Sequence, residues 1–247
     1  MAEIKNFFEK LSNILFPENI KCILCNDEVD ENKFCLCDNC AKTDIFCEHI
    51  CDKCGTPVRS EAEYCLFCSG KRRSFDFARA PLVYTNKVVA SIHSFKYDGK
   101  KYLAKPFTKL MFESFKTFED KGIKFDYIIP VPLHKNKLKK RGYNQSELLA
   151  IELSKLTDVP TLCDNVVRIK ETSTQTELTR KERFENVKDA FEILDKSFVK
   201  NKNILIVDDV LTTGATTESL AEKLRKCGCN KICVLAVARA DIEKNII

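Results

Sequence analysis

From residue 81 onward, short apolar runs alternate with segments whose apolar positions recur every three to four residues. Leu82–Thr85, Tyr127–Val131, Val166–Ile169, Ile204–Val207 and Ile232–Val237 read as strands, and 146–157 and 215–227 as helices. Phe107, Leu110, Met111, Phe115 and Phe118 fall on one face of a further helix. Strands alternating with helices predict an α/β domain with a mainly parallel sheet over 81–247. At the other end, Ile4, Phe7, Phe8, Leu11, Ile14 and Leu15 keep close to helical spacing until Pro17. This predicts an amphipathic helix within 1–19 that packs on its own protein. Its polar face is mixed in charge and poor in lysine, which argues against a membrane surface. Residues 20–70 have few long apolar runs and cannot build much core. Residues 71–80, with Lys71-Arg72-Arg73-Ser74-Phe75-Asp76, read as a linker.

Cysteine takes the place of a core in 20–70. The 247-residue chain holds 14 cysteines, and all but four of them lie between Cys22 and Cys68. No run approaches the roughly 18 apolar residues of a membrane-spanning helix, and the N-terminus does not read as a secretory signal. The expected location is therefore cytoplasmic, with peripheral contact at the inner face of the membrane left open, and disulfides are not expected. The pairs Cys22/Cys25, Cys37/Cys40, Cys51/Cys54 and Cys65/Cys68 each have two intervening residues. Two such turns supply the four thiolates of a closed, structural zinc site. Sequential pairing, Cys22/Cys25 with Cys37/Cys40 and Cys51/Cys54 with Cys65/Cys68, is the simplest, and interleaved pairing stays open. Cys35 and Cys47 are spare, Cys35 could replace Cys37, and His49 near the second site is not expected to ligate. Redox chemistry of an exposed CxxC ranks well below zinc.

Composition narrows little else. At 44% hydrophobic and 31% charged, the chain can form an ordinary globular core. A net charge of +5 is too weak to predict nucleic-acid binding by itself.

The densest chemistry lies in Ile204-Leu205-Ile206-Val207-Asp208-Asp209-Val210-Leu211-Thr212-Thr213-Gly214-Ala215-Thr216-Thr217. An apolar strand delivers two carboxylates to its C-terminal edge, where open α/β sheets bind ligands. A threonine-rich turn with one glycine leads into a helix, and backbone N–H groups there favour an anion. Acids beside a phosphate pocket suit sugar hydroxyls, a divalent cation, or both. A nucleotide triphosphatase would need GxxxxGK[ST], which the sequence lacks.

Residues 204–217 resemble the diphosphate-sugar signature of type I phosphoribosyltransferases. Together with the cysteine module, the stretch Ile129–Ser146 and the residues Gln175-Thr176, Leu178-Thr179-Arg180, Arg183, Asn186-Val187 and Ala190-Phe191, the chain resembles the ComF family. The resemblance implies a type I phosphoribosyltransferase-like parallel sheet flanked by helices, preceded by a small cysteine-rich zinc-binding domain. It implies phosphoribosyl pyrophosphate with magnesium as ligand and displacement at the anomeric carbon as reaction. Asp208 and Asp209 would hold ribose hydroxyls, and Thr212, Thr213, Gly214, Ala215 and Thr216 the 5′-phosphate. Arg141, in the loop Arg141-Gly142-Tyr143-Asn144-Gln145, would face pyrophosphate, where His134 could join it. Arg180 and Arg183 would sit on a mobile segment that closes over the ligand. The resemblance also points to competence: single-stranded DNA and proteins of the competence machinery as partners, with Lys71-Arg72-Arg73 and the basic loop with Tyr143 as the equipment for single strands. A pocket that senses its ligand without turnover is the alternative. No residue identifies the acceptor.

Overall fold

The computed structural model describes residues 21–29, 34–45, 49–58, 62–70, 73–172 and 179–240. The expected N-terminal helix, Cys47, Lys71, Arg72, Gln175, Thr176 and Leu178 lie outside the described residues, as does the side chain of Arg180.

The framework is a parallel sheet. Strands β1 (Phe77–Arg79), β2 (Leu82–Val83), β3 (Tyr127–Pro130), β6 (Ile204–Leu211) and β7 (Ile232–Arg239) form it in the order β1-β7-β6-β3, with β2 also on β7. Every pairing in this sheet is parallel. Helices α3 (Asn86–Tyr97), α4 (Ala104–Asp120), α6 (Gln145–Thr157) and α8 (Ala215–Lys226) cover it. All eight residues of β7 are buried, as befits a central strand covered on both faces. The α/β expectation is met, and α4 buries the five residues read as its apolar face.

Three segments differ from expectation. Within the stretch read as a linker, Phe77–Arg79 forms β1, because its backbone completes the β7 edge. Val166–Arg168 (β4) does not join the main sheet; it pairs antiparallel with β5 (Phe191–Ile193) in a separate ribbon. The lysine-rich run becomes a short helix, α5 (Lys135–Arg141), capped by His134 and ended by Gly142 at φ 81°. Helix α7 (Arg180–Val187) opens on a capping box between Thr179 and Glu182.

The cysteine-rich module adds α1 (Asp38–Asp44) and α2 (Leu66–Ser69) and straddles the sheet. Cys22, Leu24, Leu36 and Cys40 join the core that holds Leu205, Val207, Leu235 and helices α3 and α4. Cys51, Cys54 and Cys65 join the core of the opposite face, with Ile204, Ile206, Val234 and α8. Among the described residues, no helix is long and apolar enough to cross a membrane.

Candidate functional site: an acidic strand end facing half-buried cations

β3 pairs with β6 only as far as Pro130 opposite Val207. Asp208 and Asp209 follow at once, still paired with β7 but with no strand on the other side. The strand therefore runs further than the apolar run suggested, and the acids lie on it rather than after it.

Asp209 is buried and pairs with Lys96 of α3, Nζ to Oδ1 at 2.8 Å. The Asp208 carboxylate accepts from Ser146 Oγ at 3.1 Å and from the Asp209 N–H at 2.9 Å. Asp208 keeps partial exposure yet lies deep among protein atoms; this burial, with the neighbouring Asp209 charge, pushes its carboxyl up to about 7. For Lys96, burial works against the charge, but Asp209 and Asp208 outweigh it and hold the ammonium above its ordinary range.

More cations face the pair. Burial lowers the Arg168 guanidinium, with Asp208 opposing. Burial also lowers Lys137, helped by the charges of Arg168 and Arg141. Arg168 reaches Thr172 Oγ1, and Lys137 donates to the Thr172 carbonyl at 2.9 Å. Arg168 Nε and Gln145 Nε2 are buried donors with no partner. Half-buried cations and unmet donors around two acids suit a polyanion that also carries hydroxyls.

Beyond Leu211, the turn passes through Gly214 at φ 76° into α8. Thr213 Oγ1 accepts from the Ala215 N–H at 3.3 Å, and Thr217 Oγ1 donates to the Gly214 carbonyl at 3.1 Å. These hydroxyls shape the turn, which carries no acid before Glu218.

The structure thus gathers Asp208, Asp209, Thr212, Thr213, Gly214, Ala215 and Thr216 at one sheet edge. Arg141 donates to Gln145 Oε1 and lies 4.7 Å over the Tyr97 ring. His134 is buried, and its Nδ1 accepts from the Asn136 N–H. Helix α7, carrying Arg180 and Arg183, packs along α8, with Ser219 Oγ donating to the Val187 carbonyl. Two features read as nucleic-acid equipment are engaged elsewhere. Arg73 is buried against Thr213 and Glu218. Tyr143 is buried too, its hydroxyl donating to the Phe95 carbonyl, because the ring fills the core beside Phe95. Sequence reasoning missed Lys96 and Arg168. A single lysine on an amphipathic helix, or an arginine in a short strand, carries no signal until the fold brings it to the acids.

The two cysteine clusters are Cys22, Cys25, Cys37, Cys40 and Cys51, Cys54, Cys65, Cys68, with all Sγ atoms of each within 4.8 Å of one another. That is sequential pairing. Cys35 lies outside the first cluster; at φ 56° its carbonyl accepts from the Ile23 N–H instead. Four thiols within reach of one ion supply the all-thiolate donor set of structural zinc.

Comparison with known proteins agrees with this architecture. A family model described as "Double zinc ribbon domain" matches residues 11–69, and one described as "Phosphoribosyl transferase domain" matches 108–246. Competence protein F of Haemophilus influenzae is 32% identical over 225 residues, covering 90% of this chain and 98% of that protein. The chain belongs to the ComF family. DNA utilization protein YhgH of Escherichia coli K12 is 27% identical, covering 88% of this chain and 96% of that protein. Competence protein ComFC of Bacillus subtilis is 27% identical, covering 78% of this ComF-family chain and 79% of that protein. Among solved structures, adenine phosphoribosyltransferase of Saccharomyces cerevisiae is 19% identical, covering 56% of this chain and 71% of that chain at a TM-score of 0.37. Glutamine phosphoribosylpyrophosphate amidotransferase of B. subtilis is 16% identical, with a TM-score of 0.33, and the match spans 54% of this chain and 25% of that chain.

Proposed function

We propose that the β6 edge binds phosphoribosyl pyrophosphate and that the protein is a phosphoribosyltransferase serving DNA uptake. The observation that carries the reading is the acidic pair set among half-buried cations with unpartnered donors, followed by a turn free of acids at the start of α8. Asp208 and Asp209 accept from the ribose hydroxyls. The Thr212–Thr216 turn receives the 5′-phosphate through its backbone N–H groups. Arg141, Lys137 and Arg168 face the pyrophosphate and stabilise the charge that grows on it as it departs. Arg180 and Arg183 belong to α7, the helix packed along α8. Magnesium bound with the substrate would lower the negative charge of the pyrophosphate oxygens, with the two aspartates as the nearest oxygen donors.

In the reaction, the bond from the anomeric carbon to pyrophosphate breaks and a bond to the acceptor's nucleophilic atom forms. The acceptor gives up its proton, and pyrophosphate leaves with the bonding pair. Structural zinc in the two clusters holds the cysteine module, with no open position for catalysis.

The relatives' names, competence protein and DNA utilization protein, support a role in competence or DNA utilisation; we propose that this role is the handling of incoming single-stranded DNA in the cytoplasm, alongside the competence machinery. Exposed Lys135, Lys139 and Lys140 supply a basic surface on α5, and exposed Tyr97 beneath Arg141 supplies a stacking ring in place of Tyr143.

Calorimetric titration with phosphoribosyl pyrophosphate, with and without magnesium, tests the site. Wild type should bind in a magnesium-dependent way, and Asp208→Asn/Asp209→Asn should lose binding while keeping a cooperative unfolding transition. Equal affinity in the double variant would remove the site assignment. Binding without pyrophosphate release, across nucleobase, nucleotide and single-stranded DNA acceptors, would favour the sensor over the transferase. Affinity for single strands should fall steeply with salt.

A further inference from the structure

We propose that the second cysteine cluster anchors the phosphate-receiving turn, with Arg239 and Arg73 as the positioning residues that connect them. The proposal rests on the reading of the Thr212–Thr216 turn as the phosphate site and gives that site a dependence on the zinc-ribbon module.

Arg239 closes β7, in register with Leu211, the last residue before the turn. Its side chain is buried, and Nη2 donates to Cys54 Sγ at 3.4 Å. Nη1 lies 3.9 Å from the place a Cβ on Gly214 would take. One guanidinium therefore touches a sulfur of the cluster and borders the space beside the hinge glycine of the turn.

Arg73 makes the second connection. Its guanidinium stacks 4.3 Å over Phe67, which lies between Cys65 and Cys68, and 5.5 Å from the Phe75 ring. Nη2 donates to the Thr213 carbonyl at 3.4 Å, and Nη1 reaches Glu218 at 3.5 Å. Glu218 also accepts from the Ser74 N–H at 2.7 Å. This keeps the first carboxylate of α8 occupied and turned from the phosphate position. The Nε atoms of both arginines are buried without partners, so each side chain depends heavily on the contacts named.

Four thiolates around one divalent ion leave an excess of negative charge. That charge is the counterweight for two buried guanidiniums beside a single carboxylate. A cluster that loses its metal loosens both cysteine turns, and with them the sulfur that holds Arg239 and the ring under Arg73. Gly214, in a left-handed conformation with no side chain of its own, is the point at which the turn would give way. The first cluster lies on the other face of the sheet, and among the described residues its contacts run to α3 instead: Cys40 Sγ meets Lys87, and the Ile23 carbonyl meets Ser91.

The test is hydrogen exchange over residues 212–217 in the unliganded full-length protein, with bound zinc counted by metal analysis. Arg239→Met should keep both metals yet exchange this segment roughly fivefold faster or more. Arg239→Lys, which keeps a cation beside Cys54, should exchange more slowly than Arg239→Met. Cys68→Ser should lose one metal and show the same acceleration, whereas Cys25→Ser should lose one metal and leave 212–217 as in wild type. Phosphoribosyl pyrophosphate should bind about tenfold more weakly to Arg239→Met. Wild-type exchange in Arg239→Met, or equal acceleration in Cys25→Ser and Cys68→Ser, would overturn the proposal. Arg239→Met decides alone where Cys68→Ser does not fold. A wild type with no affinity for phosphoribosyl pyrophosphate would sink the functional reading, while the exchange comparison would still decide the anchoring.

Discussion

Replacing Asp208 by Asn should make the unliganded protein more stable, and the gain should depend on pH. Asp208 titrates near 7 in the folded chain, against about 3.9 when unfolded. Between those values the folded state holds a proton that the unfolded state has released. Stability therefore falls as pH rises through this window, by about 1.4 kcal/mol per pH unit and about 4 kcal/mol in full. Partial exposure of Asp208 and the nearby Lys96 charge reduce this to about 2–4 kcal/mol. The amide in Asp208→Asn would keep an oxygen to accept from Ser146 Oγ and the Asp209 N–H, so the substitution removes the charge and little else. Urea unfolding at pH 4 and pH 8 reads the difference. The variant should match wild type at the lower pH and exceed it by about 2–4 kcal/mol at the higher, equivalent to about 5–12 °C in Tm. A gain that is the same at both values, or a loss at pH 8, would refute the view of Asp208 as a carboxylate held ready for a ligand against the preference of the fold.

Lys96→Met removes the cation from Asp209 and leaves two adjacent acids; with side chains 23% and 12% exposed, the cost by denaturant unfolding at pH 7 should be about 2–3 kcal/mol. Gly55→Ala places a Cβ 2.6 Å from the Ala78 carbonyl at φ 66°, so the second ribbon should detach from β1, with a loss of at least about 1–2 kcal/mol and faster proteolysis near Lys53. Chelation should release two zinc ions per chain, one from each cluster; retention of both clusters' circular dichroism and protease resistance without metal would contradict their structural role.

The strands and long helices were legible because burial imposes a period. Ile204–Val207 is apolar throughout, being covered on both faces, and Phe107 to Phe118 repeat at helical spacing on α4. The CxxC spacing gave the sequential clusters as the simplest arrangement, since two thiols on one turn face one ion. Phe77–Arg79 was not legible: three residues are too short to show a period, and the neighbouring Arg73 and Asp76 belong to the stretch read as a linker. In fact Asp76 is fixed by Arg225 and by the Ile232 N–H, 2.9 Å away. Lys96, Arg168, Arg73 and Arg239 share this opacity. Each acquires its role from a residue more than 30 positions away, and no local pattern encodes such a pairing.

Position along β6 makes the acids a site. Up to Val207 the strand lies between β3 and β7, and a carboxylate at Ile206 would be shut away from water and from every cation named here. β3 ends at Pro130, and the Val131 N–H makes a last bond to the Val207 carbonyl at 2.9 Å. Asp208 and Asp209 take the first two positions with a missing neighbour, where a polar group can reach a ligand while β7 still fixes the backbone. Strand alternation then parts the two charges. Asp209 falls on the face of Leu205 and Val207, where α3 brings Lys96, and Asp208 falls on the face of Ile204 and Ile206, where its charge acts on Arg168 of β4. The two like charges share the Lys96 cation, which both acids hold above its ordinary range, and Asp208 also acts on Arg168. The same β7 that steadies them runs on to Arg239 opposite Leu211, so one element sets the spacing between the acids and the turn that follows them.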